Sequence, residues 1–250
     1  MNSITTGASS LARYGLLINW GCTKLPLNVV GKQVVLNKPE AIAQASCKLR
    51  TFKAFREAGV PCPPFWTPDN LTGMDRKDII IARLTTRGSG GEGIVVVRTA
   101  DTLPAAPLYT SYIRKLAEYR IHVMRDKVLM IQQKRRDSEA EQTDDQKLIR
   151  NHDNGWVFAS VNVEFKSDAQ KASCEQAAIA AVRSLGLDFG AVDLVVSKRD
   201  GAPYVLEVNT APGIQSPTLL EQYTKAIKEI AGGITYVVPE TRRLVRARHV

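Results

Sequence analysis

The sequence predicts a mixed fold of the α+β kind, with α/β left open by the pattern alone. Three observations carry this: short β-branched runs separated by turns fill the middle of the chain, helical spacing precedes them from Lys38 to Gly59, and helical spacing returns after them. At 250 residues the chain can bury a substantial core, as one large domain or two small ones packed together.

Each element follows from local pattern. GLLINWG and VVGKQVVL, within residues 1–36, read as short strands around the loop TKLPLN. In NKPEAIAQASCKLRTFKAFREAGVPCPP, Pro39 suits a first helical turn and Ile42, Leu49, Phe52 and Phe55 recur at helical spacing. Gly59 and Pro61 then stop the run, so one or two helices with core-facing positions are expected. DIIIARLTTRGSGGEGIVVVRTA offers strands at Ile79 to Ala82 and Gly93 to Val97 around a glycine loop. EYRIHVMRDKVLMIQQKRR reads as two antiparallel strands turning at Arg125, Asp126 and Lys127. The polar stretch Asp137 to Gly155 is expected to be a mobile loop, and WVFASVNVEF resumes strand alternation. DAQKASCEQAAIAAVRSLGLD is an amphipathic helix ending at Gly186. Strands AVDLVV and APYVLEVN follow, and a last helix runs from about Pro217 to Ala231.

Composition narrows the function classes. Cys22, Cys47, Cys62 and Cys174 form no CxxC pair and lack nearby histidines, which argues against a zinc knuckle or disulfide framework and for a reducing compartment. The N-terminus lacks the basic leader and long apolar core of a signal peptide, and no run of about 18 apolar residues occurs, so a soluble, cytoplasmic protein with no membrane role is expected. The net charge of +9, with a basic run Arg242 to Val250, favours anionic partners; nucleotide phosphates suit it as well as nucleic acid, which is the less favoured partner.

The candidate chemistry concentrates in LEVNTAPG, residues 206–213. In an alternating strand Glu207 and Asn209 point to the same side, and both carry oxygen that a hard cation accepts. Asp193 joins them if AVDLVV and YVLEVN pair across the SKRDGAP turn, and the three make an oxygen-rich shell for Mg²⁺ together with phosphates. A lone surface aspartate and an edge glutamate would give the same letters. The loop TTRGSGGEG has free N–H groups to meet an anion, though it is neither a Walker loop nor GxGxxG before a helix, and a flexible hairpin would look similar. Arg83, Arg87, Arg120, Lys134, Arg135, Arg136 and Arg150 supply cations suited to phosphate and carboxylate, each taken singly being a solvated charge. His122 shares a face with Arg120 and is expected to be a hydrogen-bonded structural residue before it is a ligand contact.

These residues, in the order KLRTFKAFREAGVPCPP, glycine loop, EYRIHV, acidic strands, resemble the ATP-grasp enzymes, especially carboxylate-amine ligases similar to ribosomal S6 glutamate ligase and D-alanine-D-alanine ligase. The resemblance runs from about Asn37 to Ala231, with LEVNTAPG its most specific part. It implies two α+β lobes holding ATP between them: a reduced N-terminal segment at 1–36, a small lobe with a glycine lid at 37–113, a large lobe with the metal site at 114–235, and a basic tail at 236–250. It implies that Asp193, Glu207 and Asn209 bind two Mg²⁺ ions bridging the ATP phosphates. Lys48 and Arg83 would hold phosphates from the lid side, and Arg87, Gly88, Ser89, Gly90, Gly91 and Gly93 would close over them. Tyr109, Thr110 and Tyr112, within LYTSYI, would form the hinge against which adenine sits. Arg120, Arg150 and Asn151 would touch phosphate or acyl phosphate, and Pro212, Gly213 and Ser216 the acyl substrate.

The implied reaction joins a carboxylate donor to an amine acceptor, a peptide or protein included, through an acylphosphate. Two departures stand out. Arg83 occupies a position where family members usually have lysine, and the segment before residue 37 is short for the usual N-terminal domain. The compact form looks like the small ATP-grasp proteins of bacteriophages, which would place it in host cytoplasm. The alternatives are a small-molecule kinase on the same fold and a basic nucleic-acid-binding or structural protein with a relic nucleotide pocket. The oligomeric state stays open, a homodimer included.

Overall fold

In the computed structural model, which describes residues 15–25, 34–88, 91–137, 142–150 and 152–233, the alternating runs settle into three sheets. Ser89, Gly90, Asn151 and the basic tail 236–250 lie outside the described residues. Strands β1 (Leu16–Ile18) and β2 (Val34–Leu36) pair in parallel, and helices α1 (Pro39–Ala45) and α2 (Lys48–Glu57) follow. Next come β3 (Phe65–Trp66), β4 (Ile80–Arg83), β5 (Ile94–Val97) and β6 (Leu108–Ser111), a small antiparallel sheet ordered β3-β6-β4-β5. The glycine loop joins β4 to β5.

A larger antiparallel sheet is built from β7 (Lys115–Met124), β8 (Lys127–Arg136), β9 (Trp156–Ala159), β10 (Phe189–Ser197) and β11 (Pro203–Asn209), ordered β11-β10-β7-β8-β9. Between β8 and β9 lies the short helix α3 (Asp144–Leu148), between β9 and β10 the helix α4 (Asp168–Ser184), and after β11 the helix α5 (Pro217–Gly232).

Strand alternation decides what each face of the large sheet meets. Tyr119, Ile121 and Val123 of β7, with Val192, Leu194 and Val196 of β10, point toward α4. That helix answers with Cys174, Ala177, Ala178, Ala181 and Val182, an i, i+3, i+4, i+7, i+8 stripe of mostly small residues that lets it lie close to the strands. Phe52 and Phe55 of α2 and Ile42 of α1 enter the same core. The helices expected within the small-lobe segment 37–113 therefore pack on the large sheet. The small sheet has its own core of Ile80, Ala82, Val97, Ala106 and Tyr109.

The opposite face of the large sheet is only half covered. There α5 and the β1-β2 segment pack as a second cluster, Leu219, Tyr223 and Ala226 against Met124, Phe189 and Leu36, with the Trp20 ring 4.9 Å from that of Phe189. Asn37, at φ 59°, pins this segment: its Oδ1 accepts from the backbone N–H groups of Asp188 and Phe189 at 2.8 and 3.0 Å. The uncovered half becomes the floor of a cleft.

One expectation is corrected. Part of the polar stretch from Asp137 to Gly155 is ordered, because Thr143 and Gln146 form a reciprocal capping box that starts α3, and the Asn154 side chain donates to the Ile149 carbonyl at 2.7 Å. No helix among the described residues is long and apolar enough to cross a membrane. All four cysteines are free thiols.

Candidate active site

Opposed residues on antiparallel strands share a face, so one rung of the large sheet aligns four polar side chains. Glu207 of β11 lies opposite Asp193 of β10, Asp193 opposite Arg120 of β7, and Arg120 opposite Gln132 of β8. Two residues further along, Val195 lies opposite Glu118, and Lys134 opposite Phe158. These rungs floor a cleft of about 510 Å³ whose other wall includes Ile81, Arg83 and Ile94 of the small sheet, with Gly88, Gly91 and Glu92 of the glycine loop and Lys48 at the start of α2.

Several charges in the cleft are paired with one another. Arg120 forks onto Asp193, Nε to Oδ1 at 2.7 Å and Nη2 to Oδ2 at 2.8 Å, while its guanidinium lies 4.1 Å from the Phe158 ring centroid. Burial is the largest influence on Asp193 and raises its carboxyl above the ordinary range, with the Arg120 fork opposing. Lys48 Nζ donates to the Gly88 carbonyl at 2.9 Å and lies 3.5 Å from Glu207 Oε2, tying the glycine loop to the acidic strand. Arg83 is held less completely. Its Nε is buried with no partner among the described residues, and burial lowers the guanidinium's proton affinity against the opposing charge of Glu207.

A second charged group sits deeper. Glu118, 4 % exposed, accepts from Lys134 Nζ at 2.8 Å and lies 3.2 Å from Lys115 Nζ. Burial works to raise its carboxyl, yet the two lysines prevail and hold it below the ordinary value. The same lysines secure the end of α3 and the segment after it, Lys115 donating to the Leu148 carbonyl at 3.1 Å and Lys134 to that of Arg150. The Arg150 guanidinium stacks 4.3 Å from the Trp156 ring centroid, beside the cleft.

Of the residues singled out from sequence, the structure brings Lys48, Arg83, Gly88, Gly91, Thr110, Tyr112, Arg120, Arg150, Asp193, Glu207 and Gly213 to the cleft. Others stand elsewhere. Tyr109 points into the small core, its hydroxyl donating to the Pro104 carbonyl at 2.8 Å and accepting from Ala106 N–H at 3.0 Å, because alternation along β6 sends it away from Thr110. Arg87 is exposed beyond the lining, and Gly93, at φ 66°, packs under Thr85, where an added Cβ would come within 2.9 Å. Asn209 is half-buried behind Glu207, with Nδ2 3.5 Å from Glu207 Oε1. Pro212 is buried, and Ser216 caps α5 by accepting from Leu219 N–H at 3.2 Å. His122 is a hydrogen-bonded interior residue, fully buried between Tyr223 and Gln132.

Sequence reading missed Lys115, Glu118 and Gln132. Lys115 and Glu118 have opposite parity in β7 and reach one side only because the register slips between Val196 and Ser197, displacing Leu116 outward. A comparable slip after Asp193 lets both Leu206 and Glu207 line the cleft. Gln132 left a signal: it shares parity with Lys134 and follows directly on the apolar run Val128 to Ile131 of the same strand.

The donor set suits a hard divalent cation. Asp193 and Glu207 oppose each other on adjacent strands at the cleft floor, with the Asn209 side-chain amide beside the second. Among the described residues no three His, Cys, Asp or Glu side chains cluster, so an ion held here would take further oxygens from its ligand.

Comparison with known proteins agrees with this geometry. Residues 45–214 match the ATP-grasp domain. The chain is 25 % identical to a probable alpha-L-glutamate ligase of Photobacterium profundum, over all of this chain and 82 % of that one. It superimposes on D-alanine–D-alanine ligase of Bacillus anthracis complexed with ATP at a TM-score of 0.57 and 18 % identity, covering 79 % of this chain and 71 % of that one. The ATP-grasp ligase PsnB complexed with a phosphomimetic variant of its minimal precursor, Mg and ADP matches at 0.56 and 16 % identity, covering 79 % and 62 %. With two-thirds of its length matched and its acidic rung set beneath a glycine loop, the chain belongs to the ATP-grasp family.

Proposed function

We propose that the chain is an ATP-dependent ligase that joins a carboxylate to an amine through an acyl phosphate. The observation that carries this is the Glu207–Asp193–Arg120 rung facing a cleft whose opposite wall presents Lys48 and an incompletely partnered Arg83. The relatives' names, glutamate ligase and D-alanine–D-alanine ligase, favour amino-acid or peptide substrates. In this reading 37–113 and 114–235 act as two lobes with the nucleotide between them.

Bound ATP supplies the phosphoryl group and Mg²⁺, two ions in our reading, the charge neutralisation that lets a carboxylate be activated. Asp193, Glu207 and Asn209 would hold the metal. Arg120 and Lys48, now engaged by those carboxylates, would turn to phosphate oxygens, so the site exchanges one set of charge pairs for another and leaves no charge unpaired. Arg83 binds phosphate from the small sheet. Gly88 and Gly91, with Arg87, Ser89, Gly90 and Gly93, would act as a lid that excludes water from a hydrolysable intermediate. Thr110 and Tyr112 would border the nucleobase, and Tyr109 would act only by anchoring their strand. Arg150 and Asn151 would position the acyl group opposite Gly213, with Pro212 and Ser216 holding the turn that carries it. Free cysteines fit a reducing cytoplasm.

Calorimetric titration of ATP with and without Mg²⁺ tests the nucleotide half: magnesium-dependent binding that weakens in Glu207→Gln is expected, and its absence in the wild type overturns the proposal. Incubation with ATP, hydroxylamine and L-glutamate, D-alanine or acidic peptides tests the ligase half, since an acyl phosphate is trapped as a hydroxamate while a kinase acting on a hydroxyl yields none.

A further inference from the structure

Beneath the cleft floor runs a chain of polar groups to which the proposed reaction assigns no role. The Tyr223 hydroxyl of α5 lies 3.1 Å from His122 Nδ1, and His122 Nε2 lies 3.1 Å from Gln132 Oε1. Tyr223 and His122 are 1 % and 0 % exposed, whereas Gln132 reaches the cleft beside Arg120.

The direction of these bonds follows from counting donors. Burial, with Arg120 adding to it, pushes the His122 imidazole down to about 4 against the weaker pull of Gln132, so the ring is neutral near pH 7 and carries one N–H. If the proton is on Nε2, it is donated to Gln132 Oε1, and Nδ1 accepts the Tyr223 hydroxyl proton. Every group is then satisfied. If the proton is on Nδ1, it is donated to the Tyr223 oxygen, and the Gln132 amide must turn to donate to Nε2. The buried Tyr223 hydroxyl proton then has no acceptor among the described residues, a cost that disfavours this arrangement. The first arrangement fixes the carbonyl of Gln132 toward His122 and leaves its NH₂ group free. That nitrogen is not among the buried polar atoms lacking a partner, as a group open to the cleft requires.

We infer that Gln132 is an oxyanion-binding residue of the site, its amide NH₂ held toward the cleft by His122 and Tyr223 to donate to a phosphoryl or carboxyl oxygen beside Arg120. This rests on the ligase reading for the identity of the anion. His122 and Tyr223 are positioning residues: they act through the orientation of the amide, and a donor fixed in advance costs no reorganisation when charge arrives.

Two measurements test it. Nitrogen-15 NMR of the unliganded protein should show His122 neutral at pH 7 with its proton on Nε2; a proton on Nδ1 overturns the inference, whatever the nucleotide does. Calorimetry with Mg·ADP present should then show inorganic phosphate or L-glutamate binding about tenfold more weakly to Gln132→Met, which keeps the shape and removes the donor, with Mg·ADP affinity unchanged. Weakening of phosphate alone assigns the phosphoryl oxygen, and weakening of glutamate alone the carboxyl oxygen. Tyr223→Phe should weaken the same probe and shift the His122 tautomer. Equal binding to wild type and Gln132→Met, or binding of Mg·ADP with no uptake of either probe, overturns it. Failure of Mg·ADP itself to bind removes the ligase reading, while the tautomer measurement still decides the orientation of the amide.

Discussion

Burial of a single titratable residue predicts a pH dependence of stability in a defined direction. The folded-state value of His122, about 4, lies below its ordinary 6.5, so below pH 6.5 the unfolded chain takes up a proton that the folded chain refuses. Stability is therefore present above that range and lost as pH falls toward 4. We expect this residue to remove about 2 kcal/mol between pH 7 and pH 4.5, and His122→Gln to flatten that part of the pH profile in urea unfolding. Arg120→Met strands Asp193, 7 % exposed, without its ionic partner, and should lower unfolding free energy by about 3 kcal/mol in the same assay. Residue types carried much of this in the sequence: Glu207 and Asp193 stood out by their oxygen chemistry and shared strand signals. The Arg120–Asp193 pair did not, because 73 positions separate its members and only strand order makes them neighbours.

At the scale of elements, the β10-β11 pairing holds the two carboxylates in register. Gly190 sits where an added Cβ would meet Val208 Cγ1 at 2.7 Å and the Asn209 carbonyl oxygen at 3.2 Å. Gly190→Ala should push β11 outward, cost about 1–3 kcal/mol in denaturant unfolding, and weaken Mg·ATP binding by disturbing the Asp193–Glu207 pair. The helices were legible because spacing and stop signals are local: Pro39 suits a first turn and Gly186, at φ 67°, marks a stop, whereas the caps Ser167 and Ser216 show only in the structure. Register slips were not legible. Leu116 and Leu206 look like ordinary alternating residues, and only pairing with the neighbouring strand reveals which of them is skipped.

Across the whole molecule, the two cleft carboxylates proposed to hold metal each face a cation proposed to meet phosphate, Glu207 facing Lys48 and Asp193 facing Arg120. Magnesium alone would have to displace Arg120 and Lys48 without giving them a new partner, so binding of Mg²⁺ and ATP should be strongly coupled. Calorimetry should show negligible uptake of Mg²⁺ alone and clear uptake with ATP present, and Lys48→Met should weaken the nucleotide about tenfold by removing a cation that also tethers Gly88. The sequence by itself determined most helices and strands, a mixed helix-and-strand composition, the glycine loop and the acidic LEVN strand, because periodicity and turn chemistry act within a few residues. Tertiary structure alone decided that α1 and α2 pack on the large sheet, that Lys115 and Glu118 reach the cleft, and that Gln132 rests on a histidine and a tyrosine from another helix. These depend on strand order, register and burial, which join residues far apart in the chain.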